Sequence, residues 1–265
     1  QETTVSDSPT SPTTPSAPTG KPGKPSAGRV AGMWAKEIAI VVVGALIAST
    51  LLRLFVAQMF VIPSGSMENT LLIRDRVMVQ KVAGWSRGDI VVFRDTQGWL
   101  SAPAEETDPV RKALIFIGLA PDESSNHLIK RVIGLPGDHV KCCDAQGRIT
   151  VNGQPLDEGT YLYSENGQTV APSEFPFDVV VPKDRIWVMG DHRNNSQDSR
   201  CHLTEGTRGI AAFVPTADVV GSAVAVVYPF DRWRTLSRPA TFDQVPAATA
   251  PAPDTPVIVG DPPTC

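Results

Sequence analysis

The stretch Leu128-Ile129-Lys130-Arg131-Val132-Ile133-Gly134-Leu135-Pro136-Gly137-Asp138 decides the fold class. Its first six residues are rich in apolar and β-branched side chains, and the glycines and proline that follow are typical of a strand end. Successive side chains of a strand point to opposite faces, so Lys130 lies opposite to Ile129 and Arg131. Gly134 and Gly137 let other backbone segments approach closely. We therefore expect a β-strand here that carries one lysine among apolar neighbours.

Similar short runs occur along most of the chain. The other strand-like runs are 76–81, 89–94, 139–141, 148–151, 177–181, 185–189 and 219–227. Asn152-Gly153 directly follows one run and predicts a tight hairpin. Residues 95–127 interrupt the pattern as an insertion, in which Val110–Ala120 is a candidate helix. The sequence predicts a mainly β domain of antiparallel sheets.

An apolar stretch precedes these runs. From Ile38 to Ile62 the exceptions are Ser49, Thr50, Arg53 and Gln58. About 20 such residues span a hydrocarbon core of about 30 Å, so we expect one N-terminal transmembrane helix within 34–57. Arg53 lies near its outer end, where a long side chain reaches the headgroups. A buried core helix and a cleaved signal sequence are the alternatives, but a signal sequence has an apolar region of only about 7–15 residues.

The flank before this stretch is basic. Its positive residues outnumber the negative ones: Lys21, Lys24, Arg29 and Lys36 against Glu2, Asp7 and Glu37. Lysine and arginine favour the cytoplasmic side of a membrane. We expect a single-pass protein of the cell membrane with a cytoplasmic N-terminus and its β domain on the extracytoplasmic side.

The two ends of the chain are poor in apolar residues. Residues 1–33 are mostly Thr, Ser, Pro, Gly and Ala, which predicts a disordered cytoplasmic arm. Residues 237–265 are rich in proline and alanine and predict a flexible tail, so the β domain covers 58–236. The net charge of −4 and the lack of basic clusters with interleaved aromatic residues argue against a nucleic-acid partner.

Four cysteines lie in the part expected to be exported: Cys142, Cys143, Cys201 and Cys265. That compartment permits disulfides, and a bridge from Cys201 to Cys142 or Cys143 would close a loop of about 60 residues and stabilise the fold by about 4 kcal/mol. Unpaired thiols, or a metal bound by Cys201-His202 with one of the vicinal cysteines, are the alternatives. Neither the cysteines nor the four histidines have the spacing of a metal site, so we expect no metal and no cofactor.

Two serines follow the apolar stretch in Pro63-Ser64-Gly65-Ser66-Met67. A candidate nucleophile therefore lies at a bilayer surface. A serine hydroxyl needs a base, and lysine serves as one only where burial makes its neutral form accessible near neutral pH. Lys130 fits this requirement better than any other lysine. From the residues alone, a solvent-facing lysine and a turn serine are the more ordinary interpretations.

Three blocks occur in a fixed order: the serine motif, Ile129 to Asp138, and Gly190-Asp191-His192-Arg193-Asn194-Asn195-Ser196-Gln197-Asp198-Ser199-Arg200. In these blocks the chain resembles the bacterial type I signal peptidases, membrane-anchored serine/lysine proteases that remove secretory signal peptides. The resemblance extends from about Phe60 to Asp231. It implies that Ser66 is the nucleophile and Lys130 the general base. The Ser64 hydroxyl and the Ser66 amide would stabilise the oxyanion.

The third block implies a supporting shell, again by resemblance. Ser196 matches the serine that hydrogen-bonds and orients the base, and Asp198 and Arg200 match a charged pair behind it. Asp191 and Arg131 match positions that brace the site. Without the resemblance the block is a polar turn with a surface ion pair, which typically contributes about 0–1 kcal/mol.

The resemblance also implies how substrate binds. Gln58–Pro63 and Leu128–Lys130 would clamp an extended peptide by backbone hydrogen bonds, while small pockets select Ala-x-Ala. The residues implied to form these subsites are Ile62, Pro63, Met67, Leu71, Leu128 and Ile129. Each apolar residue among them can equally belong to the core. The expected partners are signal peptides of secretory preproteins and the lipid bilayer, and the protease is expected to be a monomer.

Three positions depart from the family pattern. Asn69 stands where proline is common, and His192 and Asn194 stand where asparagine and aspartate are usual. These departures affect the turn after Ser66 and the supporting shell rather than the dyad itself.

Three other functions stay open: a self-cleaving repressor, a β domain that only binds a partner, and a sortase-like transpeptidase. We expect a membrane anchor rather than the N-terminal DNA-binding unit that the first would carry. The second would need neither Ser66 nor Lys130, and the third would use a cysteine as nucleophile, with a paired histidine and arginine.

Overall fold

The computed structural model describes residues 27–100, 107–110, 112, 126–203 and 208–260. Its one long helix, α1, is Ala27–Phe55, and the boundary between two compact units of the chain falls within it, after Ala45. Within α1, the 19 residues Trp34–Leu52 are long and apolar enough to cross a membrane, and none of this segment is buried. The helix agrees with the predicted membrane-spanning segment.

The rest of the described chain is mainly strand. The strands are β1 Ala57–Val61, β2 Arg76–Gln80, β3 Ile90–Arg94, β4 His127–Gly134, β5 His139–Cys142, β6 Ile149–Val151, β7 Gln154–Pro155, β8 Ser164–Glu165, β9 Gln168–Thr169, β10 Phe177–Val180, β11 Arg185–Met189, β12 Val214–Pro215, β13 Val219–Tyr228, β14 Arg234–Thr235 and β15 Val257–Ile258. All the pairings are antiparallel. The predicted mainly β, antiparallel fold is confirmed, and each of the eight predicted runs contains a strand.

The strands form two large sheets and a small hairpin. The eight-stranded sheet has the order β1-β2-β13-β3-β4-β11-β12, with β14 paired to β13. The five-stranded sheet has the order β15-β10-β5-β6-β7, and β8 and β9 form the hairpin. Asn152 and Gly153, with φ of 52° and 81°, turn the chain between β6 and β7, which confirms the tight hairpin predicted there.

Strand β4 is held on both sides. Lys130 pairs with Val91 on β3, while Arg131 pairs with Ile90 on β3 and with Met189 on β11. A one-residue slip would move every side chain of the strand to the other face, so this double pairing fixes where Lys130 points.

Buried apolar side chains fill the space around these sheets. One cluster includes Trp187, Phe213 and Val179, and another lies beneath β1, β2 and β13. The turn Gly65–Met67 lies over the second cluster, to which Met67 belongs.

The C-terminal segment differs from its prediction. Phe242 and Val245 are buried, the Pro246 carbonyl accepts a hydrogen bond from Asn152, and β15 pairs with β10. The flexible tail predicted for 237–265 is therefore wrong for residues 238–260, which we call the strap. Composition detects few apolar residues in this segment, but a proline-rich chain can pack in an extended form with only two or three of them buried.

The insertion begins and ends at one point. The Asp95 N–H donates to the Asn126 carbonyl at 2.7 Å, and the Asn126 side-chain amide donates back to the Asp95 carbonyl at 3.0 Å. The candidate helix Val110–Ala120 lies outside the described residues apart from Val110 and Lys112, which are helical. Residues 1–26 of the predicted arm also lie outside them, and 27–33 belong to α1.

Candidate active site

Ser66 lies in a single 3₁₀ turn, Gly65–Met67, shortly after β1. The Glu68 N–H closes the turn on the Gly65 carbonyl at 3.0 Å, and the Leu71 N–H bonds to the Met67 carbonyl at 2.7 Å. Met67 and Leu71 are fully buried in the apolar cluster beneath. The apolar side chains thus fix the turn and present the Ser66 hydroxyl at the end of the sheet.

Lys130 reaches this turn from β4. Its Nζ lies 2.7 Å from Ser66 Oγ and 3.2 Å from the carbonyl of Ile129. Lys130 is 3% exposed and Ser66 is 7% exposed. Burial lowers the pKa of Lys130 from 10.5 to about 8, although Asp198 and Asp191 act to raise it. The neutral form of the Lys130 amine is therefore populated near neutral pH, and this amine contacts the buried hydroxyl of Ser66.

Ser64 is exposed beside the pair. Its hydroxyl oxygen lies 3.4 Å from Ser66 Oγ. The structure thus places the hydroxyl of Ser64 next to the hydroxyl of Ser66.

Arg131, the residue after Lys130, forms a buried ion pair with Asp191. Arg131 binds both carboxylate oxygens of Asp191, at 2.8 and 2.6 Å, and donates to the Gly88 carbonyl at 2.6 Å. The Thr70 hydroxyl donates to the same carboxylate at 2.5 Å. The site therefore includes both residues that the resemblance placed as braces, joined to each other.

A second buried pair lies at Asp198 and Arg200. Arg200 binds both oxygens of Asp198, at 2.8 and 2.9 Å. Burial alone would raise the pKa of Asp198, but Arg200 and the donors Gly190 N–H and Ser196 hydroxyl favour the carboxylate, and the pKa is lowered. These buried, hydrogen-bonded pairs differ from the surface ion pair that the sequence alone suggests.

Ser196 departs from its prediction. Its hydroxyl donates to Asp198 at 2.8 Å, and the hydrogen bonds of Lys130 within the described chain go to Ser66 and Ile129. The predicted direct bond from Ser196 to Lys130 is not formed. Within the described chain, Ser196 therefore acts on Lys130 indirectly, through Asp198, whose charge raises the pKa of the lysine.

The third block also holds the backbone of Ser66. The His192 N–H donates to the Ser66 carbonyl at 3.1 Å. A side chain at Gly190 would overlap both the Ser66 carbonyl and the Ser196 hydroxyl, so only glycine fits. The dyad, its two ion pairs and the third block thus form one connected structure.

Comparison with known proteins identifies the group to which this arrangement belongs. The family model described as signal peptidase, peptidase S26, matches residues 34–228. The chain belongs to this family. Membership identifies it as a peptidase that acts on signal peptides, and its N-terminal apolar helix is consistent with membrane anchoring.

Several signal peptidases are similar over most of their length. The signal peptidase I of Mycobacterium tuberculosis is 36% identical over 220 residues, which cover 75% of this chain and 74% of that protein. The probable signal peptidase I of Mycobacterium leprae is 36% identical over 233 residues, covering 77% and 78%. A signal peptidase I from Enterococcus faecalis, solved by crystallography, matches with a TM-score of 0.31 and 22% identity over 53% of this chain and 97% of that one.

The residues implied to form the subsites of this peptidase divide into two groups. Ile62, Met67 and Leu71 have almost no exposed surface and belong to the core. Pro63 is exposed and Leu128 partly exposed, so these two can meet a ligand, as can the edge of Ile129. A sequence cannot separate these roles because both require apolar side chains.

Sequence reasoning missed another buried ion pair of the peptidase. Glu158 binds Arg193 through both carboxylate oxygens, at 2.5 and 3.2 Å, and Arg193 donates to the Gly190 carbonyl at 2.9 Å. Burial and Glu158 raise the pKa of Tyr161, whose hydroxyl donates to Glu158 at 2.5 Å. The only signal in the sequence was an arginine within the third block that had no assigned partner.

The predicted disulfide is also wrong. Cys142 is bonded to Cys143, and Cys201 is disulfide-bonded as well, so no bridge joins Cys201 to either. Spacing along the chain does not determine which sulfurs meet in space. Among the described residues, no group of three or more His, Cys, Asp or Glu side chains could hold a metal ion.

Proposed function

We propose that this chain is a membrane-bound endopeptidase that removes N-terminal signal peptides from exported preproteins, with Ser66 as nucleophile and Lys130 as general base. One observation carries the proposal: a buried lysine with a pKa of about 8 lies 2.7 Å from a buried serine hydroxyl. About a tenth of such a lysine is neutral at pH 7. A base with a pKa near the working pH is well suited to proton transfer.

The reaction follows from this contact. Neutral Lys130 takes the proton of the Ser66 hydroxyl as Oγ attacks the carbonyl carbon of the scissile peptide bond. The Ser64 hydroxyl and the Ser66 N–H hold the negative charge that forms on the carbonyl oxygen. Protonated Lys130 then gives its proton to the leaving amine. Lys130, neutral again, then takes a proton from a water molecule, which hydrolyses the acyl-enzyme.

The ion pairs keep the base in place and tune it. Asp198 and Asp191 raise the pKa of Lys130, which opposes the effect of burial, while Arg200 lowers it. Without the two carboxylates the lysine would be a weaker base, since a lower pKa means weaker proton affinity. Arg131 and Ser196 act on Lys130 through these two carboxylates rather than by contact.

The position of β1 supports the proposed mode of peptide binding. β1 is the terminal strand of the large sheet, and its only strand partner in the described chain is β2. An extended peptide can add to such an edge beside residues Gln58–Pro63 and reach the Ser66 turn, with Leu128–Lys130 on its other side. Small pockets beside exposed Pro63 and partly exposed Leu128, which the resemblance implies, would favour Ala-x-Ala.

Two features support action at a membrane. Residues 34–57 would anchor the protein, with its N-terminus in the cytoplasm and its domain on the extracytoplasmic side, which places the dyad where signal peptides emerge. On the domain, Phe230 is 81% exposed and Trp233 is 62% exposed, and both follow β13. Aromatic residues of this kind suit a membrane–water interface. We expect a monomer on the bilayer that acts on membrane-delivered preproteins.

The test uses full-length protein in detergent and a preprotein with a signal peptide. Ser66→Ala and Lys130→Met should each lower the rate at least 10²–10⁴-fold, because loss of a general base alone has an effect of about that size. Lys183→Met, at an exposed lysine on the same domain, serves as the matched control and should cleave at the wild-type rate. Circular dichroism should show that all three variants are folded.

Three outcomes would contradict the proposal. Substantial cleavage by Lys130→Met would show that Lys130 is not the general base. Sequencing that places the cut away from the end of the signal peptide would remove the assigned substrate. A wild-type protein that binds the preprotein without cutting it would favour the alternative of a binding domain.

A further inference from the structure

Three consecutive residues, Tyr161–Tyr163, lie behind the active site and contact it from one side. The Tyr161 ring lies 4.3 Å from the Arg131 guanidinium. The Leu162 carbonyl accepts a hydrogen bond from the Asn69 side-chain amide at 3.0 Å. The Tyr163 N–H donates to the Asp191 carbonyl at 3.0 Å. We call these three residues the backing segment.

The backing segment is itself held firmly. Tyr161 and Leu162 are buried, and their N–H groups both donate to the Glu158 carbonyl, at 3.1 and 3.0 Å. The Tyr161 hydroxyl and Arg193 share the Glu158 carboxylate. A segment with two buried side chains that is hydrogen-bonded to a buried ion pair can serve as a fixed support for a neighbouring turn.

Asn69 has an unusual backbone conformation in the turn it supports. Its φ is 81°, in the left-handed region that asparagine tolerates and that proline, with φ near −65°, cannot adopt. Asn69 lies between the Ser66 turn and Thr70, whose hydroxyl binds Asp191. Both the backbone and the side chain of Asn69 therefore affect the position of the nucleophile.

His192 provides a second link to the same segment. Its ring stacks on Tyr163 at 3.7 Å, and its Nδ1 lies 2.9 Å from a carboxylate oxygen of Glu68, two residues after the nucleophile. Its N–H binds the Ser66 carbonyl. Asn69 and His192, two of the positions where the chain departs from the family pattern, thus both connect the Ser66 turn to the backing segment.

We propose that Asn69 is a positioning residue, which holds the Ser66 turn against the backing segment through the Leu162 carbonyl and so keeps Ser66 Oγ within reach of Lys130. This inference rests on the proposed function of the dyad. The side-chain hydrogen bond of Asn69 goes to Leu162 and not to Ser66 or Lys130. Its effect is on how often the two reacting groups are aligned.

The turn also keeps water away from Lys130. The charged groups that face this lysine are Asp198, Asp191 and Arg200, and burial has the largest effect on its pKa. A loosened turn would admit water and move the pKa of Lys130 back towards 10.5. A positioning defect at Asn69 should therefore appear in the pH dependence of the rate, whereas a loss of stability alone would not change it.

The experiment compares Asn69→Gly and Asn69→Pro in full-length protein in detergent. Glycine keeps the left-handed backbone but removes the hydrogen bond to Leu162. We expect its kcat to fall about fivefold with little change in KM, since such a bond contributes about 1 kcal/mol. The limb of the pH–rate profile on which the rate rises with pH should move to higher pH. Proline forbids the backbone as well and should lower kcat further. Asn166→Gly, at a left-handed asparagine exposed in the β8–β9 hairpin, is the matched control and should keep wild-type kinetics.

A wild-type kcat and pH profile for Asn69→Gly would overturn the inference, as would a lower melting temperature with unchanged kcat. Wild-type activity of Asn69→Pro would also overturn it. If Asn69→Gly does not fold, Asn69→Asp replaces the amide donor with a group of the same shape and is expected to show the same defect. If Ser66→Ala is inactive and Asn69→Gly has wild-type kinetics, only this inference is refuted. If Ser66→Ala is active, the proposed function is refuted.

Discussion

Replacing Lys130 with methionine should make the folded protein more stable while it abolishes cleavage. The folded protein holds the pKa of this lysine at about 8, against 10.5 for an exposed lysine. At about 1.4 kcal/mol for each pH unit, charging Lys130 at pH 7 costs the folded state about 3 kcal/mol. Methionine keeps the apolar stem and removes the charge, but it also loses the bonds to Ser66 and Ile129, each worth about 1 kcal/mol. We expect a net gain of about 1 kcal/mol at pH 7.

The pH dependence tests the cause. Because the pKa of Lys130 is lowered in the folded state, the unfolded state binds more protons between pH 8 and 10.5. The contribution of Lys130 to the free energy of unfolding of the wild type therefore rises over that interval. The advantage of Lys130→Met should therefore shrink from pH 8 upward and change sign before about pH 10.5, where the charging cost is gone and only the lost hydrogen bonds remain. Urea unfolding of full-length protein in detergent, followed by tryptophan fluorescence, measures the free energy of unfolding. Lys183→Met should stay within about 0.5 kcal/mol of wild type. A Lys130→Met protein that is less stable at pH 7, or a gain that does not change with pH, would refute the reasoning.

Three further outcomes are expected. Asp198→Asn removes a charge that raises the pKa of Lys130, so the limb of the pH–rate profile on which the rate rises with pH should move to lower pH. A shift of that limb to higher pH would contradict this. Replacing Phe230 and Trp233 with serine should slow cleavage of preprotein in liposomes about tenfold but leave cleavage of a soluble peptide in detergent unchanged, and equal losses in both assays would argue against a membrane contact. Phe242→Ala should lower the free energy of unfolding by about 3 kcal/mol, which urea titration can measure, whereas a flexible tail would show no loss.

The sequence predicts the features that depend on local pattern. Alternation and glycine placement located the principal strands, and the length of the apolar run located α1. The serine motif and the strand around Lys130 were recognisable because each is a short contiguous segment. Their meeting at 2.7 Å follows from the pairing of β4 on both sides, which fixes its register.

The features that escaped prediction depend on distance in space. Glu158 and Arg193 lie 35 positions apart, and nothing local marks either as half of a buried pair. The Ser196 hydroxyl had two acceptable partners, and the choice of Asp198 depends on the fold of the third block. The strap was misjudged because composition averages over a segment, whereas a few side chains such as Phe242 determine whether it packs.

The hydrogen bonds that join Asp95 and Asn126 have a consequence for how this chain can diverge. They tie the insertion at its base, where Arg94 pairs with His127, so the ladder that carries Lys130 continues undisturbed whatever lies between the two ends. The entropy of closing a loop grows only slowly with its length. Trp99 is a fixed point, because its ring is buried in the core and its indole N–H donates to the Ala211 carbonyl. A change in the length of the insertion beyond Trp99 should therefore cost little loop entropy and leave the reactive amine in place.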